Sequence, residues 1–452
     1  MRGLKSTLFF IVVLGGLGAY IYFYTWKTPE GGGDSTAAKK EKVFDKLEAD
    51  KIDELKVSSS AGESTTLKKE NGAWQMTAPV TAKADETETS GITSALAALE
   101  ISRVVDENPA NLNDYGLSNP RIAIDFKASG DKDYRKILLG EKTPTGADLF
   151  AKRNDEKKVF LVQAFQEATF DKKTFDLRDK VLLKFDREKV DGLDVAAGGK
   201  ALAFAKDGGD WKITKPVQVK GDFGSVEGLI GKLQNAAMKS IVADQPSAAD
   251  LKKYGLDKPE ATVNLAAGST RATLVVGGKG ENNTVYARDL SKPMVVTIDG
   301  SLLDDLKKSA DDYRRKDLFE FRAYSATRVE FTRGTQTTVF ERVKGAKEGD
   351  PDKWRRVSPN AADADRDKVD ALLAKLANMR AASFVDSQAK TGLDKPALVV
   401  YAKFDDGKKE ERIAFGQVDK DVFATIPGAS GAAKTDAADF TEALKSLDEL
   451  AK

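Results

Sequence analysis

Cysteine and histidine are both missing from this chain of 452 residues. Without cysteine there is no disulfide, no thiolate nucleophile, no thiolate-bound zinc and no lipid-bearing thiol near the N-terminus. Without histidine the chain lacks the side chain that most often acts as a general base near neutral pH, and also the commonest metal ligand. Ser–His–Asp catalysis, Cys–His catalysis and most transition-metal sites are therefore closed to the chain alone. Paired carboxylates and lysine are the catalytic chemistry left. The expectation is a protein that is not an enzyme and carries no cofactor or metal. An excess of either charge is missing as well, with Lys+Arg 72 against Asp+Glu 71. Such a balance sets up no long-range field that draws in nucleic acid. The basic clusters at Arg314, Arg315 and Lys316 and at Arg355 and Arg356 accordingly read as solvated surface.

What is present describes a folded, well-solvated protein: 41% hydrophobic and 32% charged residues. Its length suits roughly three domains. The longest apolar run lies at the start, "STLFFIVVLGGLGAYIYFYTW", 21 uncharged residues from Ser6 to Trp26. At about 1.5 Å per residue it makes a helix of roughly 30 Å, the thickness of a bilayer's hydrocarbon core. A cleaved signal peptide is the competing reading, since Arg2 and Lys5 precede the run. The run is longer than a signal peptide's apolar region, no A-x-A-like site closes it, and it ends in rings suited to the headgroup level. A retained anchor follows, with Phe9 and Phe10 in the core and Tyr20, Tyr22 and Trp26 toward the interface. Residues 1–26 then form a cytoplasmic tip and transmembrane helix. Arg2 and Lys5 keep the N-terminus inside, although Lys39, Lys40 and Lys42 reduce the asymmetry. Gly15-x-x-x-Ala19 reads as ordinary membrane-span composition rather than a dimer face. Residues 27–42, rich in Gly, Ser and Ala, read as a flexible tether. The expected location is the inner membrane, single-pass, with the bulk of the chain periplasmic.

Beyond the tether the chain repeats itself at a period of about 140 residues. "WQMTAP", "WKITKP" and "WRRVSP" place Trp74, Trp211 and Trp354 five residues before Pro79, Pro216 and Pro359. Six residues after each proline stand Asp85, Asp222 and Asp365. Counting from each Asp, positions +7, +11 and +14 hold Ile92, Leu96 and Leu99, then Leu229, Leu233 and Ala236, then Leu372, Leu376 and Met379. Steps of four and three put them on one helical face. Each Asp suits the N-cap of that helix, and Glu88 predicts a capping box in the first copy. Next come "DYGLSNP", "KYGLDKP" and "KTGLDKP", in which Gly116 and Gly255 close a short helical turn and Gly392 holds the same place in the third copy. Segments with period-two apolar spacing follow, such as "RIAIDF", "ATVNLA" and "ALVVYAKF", and predict antiparallel strands with one buried face. Gly140, Gly277 and Gly416 are expected to end the second of these strands. The fold class is α+β: three tandem homologous modules at 43–180, 181–316 and 317–452, each an antiparallel sheet with packed helices.

Four patterns compete with this architectural reading. The Trp residues could form platforms for glycan or lipid, but a core ring pinning helix to sheet is the ordinary role. "DADRDKVD" places Asp363, Asp365 and Asp367 as in a calcium loop, yet Lys368 and Ala374 replace the required Gly and Glu. "VVGGKGENN" lacks the G-K-[ST] of a phosphate loop and reads as a hairpin turn. The acidic pairs Asp304–Asp305 and Asp311–Asp312 point apart on a helix and read as solvent-facing.

The ordered succession of W-x-x-x-x-P, acidic cap, amphipathic helix, Y-G-L-x-x-P, glycine-bearing strand and R-D-K-x-L-L resembles a bacterial family named only as a domain of unknown function, DUF4340. It covers residues 43–452. The third copy departs from it, with Thr391 in place of Tyr and no R-D-K junction. The resemblance implies membrane-anchored, extracytoplasmic proteins similar to auxiliary components of ABC-type exporters, including those named for gliding motility, and offers no catalytic residues. The expected function is thus an accessory scaffold that binds a protein partner. A glycan- or lipid-binding array is the alternative.

Overall fold

The computed structural model describes residues 41–345, 347, 351–425 and 430–451. They fall into two compact units, one ending at Asp179 and one beginning at Lys180. No helix among the described residues is long and apolar enough to cross a membrane. The anchor expected at 6–26 lies outside them, as does the tether up to residue 40. Glu41 and Lys42, expected in the tether, are instead paired: Ile101 N–H donates to the Glu41 carbonyl at 2.8 Å and Lys42 bridges Glu100.

The first unit holds an antiparallel sheet of nine strands. Its hydrogen-bonded order is Ala82–Lys83, Ala73–Ala78, Ser64–Glu70, Ile52–Ser58, Ile122–Ala128, Arg135–Lys142, Asp148–Arg153, Val159–Gln163 and Arg103–Asp106. Period two is visible in the burial: Ile122, Ile124, Phe126 and Ala128 face inward and their neighbours do not. The helix Glu86–Ala98 lays Ile92 and Leu96 on that inner face, in one core with Leu55, Phe126, Ile137 and Trp74. Burying each such Leu or Ile contributes about 1.5–3 kcal/mol.

The second unit holds two further sheets of nine strands with the same order. The second sheet runs Val219–Lys220, Asp210–Lys215, Lys200–Asp207, Val190–Ala197, Ala261–Ala267, Thr270–Lys279, Thr284–Asp289, Val295–Asp299 and Ser240–Ala243. The third runs Ala362–Ala364, Lys353–Ser358, Gln336–Val343, Ala326–Arg333, Leu398–Phe404, Lys409–Val418, Asp421–Thr425, Ala432–Thr435 and Ala381–Val385. Helices Phe223–Gln234 and Arg366–Ala377 bury Leu229 and Leu233, and Leu372 and Leu376. Leu99 and Met379 are buried at the +14 position, and Ala236 is half-buried. Three tandem antiparallel sheet modules with packed helices therefore make up the described chain.

A shared irregularity marks the first strand of every sheet. The pairing register shifts between Ile52 and Glu54, between Val190 and Gly192, and between Ala326 and Arg328. Each is a bulge, and it offsets the inward row by one residue, so that Ile52, Leu55 and Val57 are buried at steps of three and two.

Candidate functional site

The recurring residues are placed alike in the three modules. Trp74, Trp211 and Trp354 are 3%, 0% and 1% exposed, so their rings offer no open face to a ligand. Two carry a further tie to the helix above them: the Trp211 Nε1–H donates to Glu227 at 3.0 Å, and the Trp354 Nε1–H to Asp370 at 2.8 Å. Arg342 stacks on the Trp354 ring, 4.7 Å from its centroid. The peptide bonds before Pro79, Pro216 and Pro359 are all cis. Asp85, Asp222 and Asp365 are N-caps, accepting from Thr87 and Glu88, from Ser225, and from Lys368. Glu88 does not complete a capping box. The Asp85 N–H that a box would use donates to the Leu177 carbonyl at 2.9 Å, and Glu88 pairs with Lys172 at 2.7 Å.

Gly116, Gly255 and Gly392 are left-handed, with φ of 67°, 69° and 73°. Gly140, Gly277 and Gly416 lie inside their strands, which continue to Lys142, Lys279 and Val418, and so do not end them. A close approach explains their identity. A Cβ at Gly140, Gly277 or Gly416 would overlap the carbonyl oxygen of Tyr115, Tyr254 or Thr391, the residue just before the left-handed glycine. In the second module the contact is also a hydrogen bond, Gly278 N–H to Tyr254 O at 2.9 Å. Each heptamer is thus a turn seated on a strand by paired glycines.

Of the charges read as solvent-facing, Asp304, Asp311, Asp312 and Arg355 are exposed, but Asp305 and Arg314 are buried. Asp305 is 7% exposed, held between Lys232 and Lys308, the latter at 2.6 Å. Burial pushes its carboxyl up, but the two ammonium groups outweigh burial and hold it below the ordinary carboxylate value. Arg314 is 4% exposed, because it sits where the chain passes between the second and third sheets and bridges Gly221. The calcium-like acids are divided among elements, with Asp363 in the strand Ala362–Ala364 and Asp365 at the helix cap. In "VVGGKGENN" the turn is 280–283, "GENN", between the strands Thr270–Lys279 and Thr284–Asp289, and Gly277, Gly278 and Lys279 belong to the first of them.

The passage between the second and third sheets is the most site-like place in the second unit. It borders a cavity of about 340 Å³ lined by Lys220, Arg314, Arg315, Glu320, Phe384 and Glu411, among others. None of the recurring Trp, Pro, Asp or Gly residues lines it. The Arg314 guanidinium carbon lies over the Phe384 ring, 3.9 Å from its centroid. Glu411, on the strand Lys409–Val418, accepts from the backbone N–H groups of Glu320 at 2.9 Å and Phe321 at 2.8 Å. Burial raises its carboxyl above the ordinary value, and those two N–H groups oppose burial without cancelling it. Glu320 goes the other way: burial raises it, but Lys220 and Arg315 more than compensate and hold it low. No motif marked this place. The one signal was the basic triplet at 314–316, which a strand-like passage between two modules had reason to bury.

A family model described as Domain of unknown function (DUF4340) matches residues 74–212, 211–353 and 354–452. Each match is phased from a repeat Trp, whereas each sheet starts two strands earlier. No curated protein and no solved structure matches the chain.

Proposed function

The chain belongs to the DUF4340 family, and from that premise we propose a non-enzymatic, membrane-anchored extracytoplasmic scaffold that binds a protein partner, such as an ABC-type transporter assembly. One observation carries the reading. The residues that recur at fixed offsets are spent on architecture, with Trp in the core, Asp at the helix cap and glycine pairs seating the turn. Three modules built to the same plan present serial surface, which is what a scaffold offers. The apolar stretch from Ser6 to Trp26 supplies a tether to the bilayer.

The test is extraction of the full chain from native membranes in mild non-ionic detergent, followed by affinity purification and quantitative mass spectrometry. A membrane-protein partner in near-stoichiometric amount is expected, and it is lost when the second unit is deleted from the bait. Recovery of the chain alone under several extraction conditions overturns the scaffold reading. Release of the chain without detergent, by salt or carbonate wash, overturns the anchor.

A further inference from the structure

The acids and bases around the cavity between the second and third sheets are unequally engaged. Glu320 holds Lys220 and, at 3.4 Å, Arg315. Asp317 holds Arg380 at 3.4 Å and Arg322 at 3.7 Å. Glu410 accepts from the Tyr401 hydroxyl at 2.5 Å, and Glu411 from two backbone N–H groups. Every carboxylate of the lining therefore has a partner of its own.

The two remaining guanidinium groups are less fully engaged. A guanidinium has about five N–H donors in one plane. Among the described residues Arg314 has a single acceptor, Asp311, which takes Nη1–H at 3.1 Å. Phe384 packs against the group, and its other donors have no protein acceptor among the described residues. No fully buried side-chain nitrogen among the described residues lacks a hydrogen-bond partner, so those donors keep access to solvent, beside the cavity that Arg314 lines. Arg412, exposed and lining the same cavity, has no carboxylate at ion-pair distance among the described residues. Cavity water can meet those donors, and an anion there meets them with stronger, charge-assisted hydrogen bonds.

We propose that this cavity binds a small amphipathic carboxylate, its two oxygens on Arg314 and Arg412 and its apolar part against Val219, Leu318 and Phe384. Each guanidinium donates a charge-assisted hydrogen bond to one oxygen, the stronger class of such bonds. The engaged acids nearby favour a single negative charge over a phosphate dianion. At 340 Å³ the space is at the small end of ligand pockets, which begin at about 300 Å³. The carboxylate can come from a free acid or from the C-terminus of a peptide with an apolar last residue. This inference is independent of the scaffold reading.

The experiment is isothermal titration of the full chain in non-ionic detergent with 3-phenylpropionate, its neutral amide, and the dipeptide acid N-acetyl-Val-Phe. Either acid is expected to bind, with the amide weaker by about tenfold or more, the worth of a charged hydrogen-bonded pair. Arg314→Lys is expected to lose about tenfold and Arg412→Gln, an exposed position that leaves the fold intact, a few-fold. Tighter binding of the dipeptide assigns the site to a peptide C-terminus, and tighter binding of 3-phenylpropionate to a free acid. No binding of either acid, equal binding of acid and amide, or affinity unchanged by Arg412→Gln overturns the proposal.

Discussion

Two carboxyls of the second unit, buried Asp305 and half-buried Glu411, titrate in opposite senses, and the difference lies in what each touches. Asp305 has two ammonium partners and is held below its ordinary value of 3.8. It therefore contributes stability that is present above that ordinary value and is lost as pH falls through the lowered one. Glu411 has only backbone N–H partners against its burial, and is raised above 4.5. Between the ordinary and the raised value the folded state binds the extra proton, so this contribution is greatest at low pH and falls as pH rises through the raised value. Thermal melts across pH separate the two. Relative to Asp305→Asn, the wild-type chain should lose its margin toward acid. Relative to Glu411→Gln, it should lose margin as pH rises from below 4.5 through the raised value. Parallel curves for the two variants would show that one of these environments is misassigned.

At the scale of elements, the seat of the heptamer on its strand is the joint that the three modules share. Gly277→Ala places a methyl on the Tyr254 carbonyl, and the turn must shift or the strand must bend. We expect a loss of about 1–3 kcal/mol, the usual cost of overpacking, read as a lower urea midpoint. Gly209→Ala, where nothing lies within 4 Å, serves as the control and should change the midpoint little. Equal effects at the two positions would mean that the approach of Tyr254 is not a tight contact. This joint also marks how far the sequence could be read. The strands after each heptamer are legible because Ile122, Ile124 and Phe126, or Val263 and Leu265, keep strict period two. The opening strand of each module is not legible as a strand, because its bulge breaks the period and Asp53, Glu54 and Lys56 dilute the apolar signal. Gly140, Gly277 and Gly416 were visible as recurring landmarks, but their reason is a contact with a turn more than twenty residues away, which no local pattern encodes. The cavity was hidden for the same cause. Its residues come from stretches around 220, 314–320, 384 and 410–412, and only the fold assembles them.

At the scale of the whole molecule, the second unit owes its coherence to a linker that behaves as a shared strand. On one side Asp222 N–H donates to the Tyr313 carbonyl at 2.7 Å and Arg315 N–H to that of Lys220 at 3.0 Å. On the other, Ala381 N–H donates to Lys316 at 2.7 Å and Leu318 N–H to Met379 at 3.0 Å. Residues 313–318 are thus registered against an edge of the second sheet and an edge of the third. The ion pair of Lys220 with Glu320 spans the same step. A passage bonded at both ends leaves no free hinge, so the two modules should open together in native-state hydrogen exchange. Arg315→Pro tests this without touching either core. It deletes the N–H that reaches Lys220, and the ring disfavours the paired geometry of the residue before it. Protection at the Asp222 amide should fall by about tenfold or more, the worth of a backbone hydrogen bond together with the order it imposes. Protection at Ile413, in the heart of the third sheet, should stay as it was. Because Arg314, Arg315, Asp317 and Leu318 of this linker wall the cavity, the variant should also weaken binding of 3-phenylpropionate while leaving each sheet intact. If exchange at Asp222 is unaltered, the linker is a passive connection, and the coherence of the unit must come from side-chain packing alone.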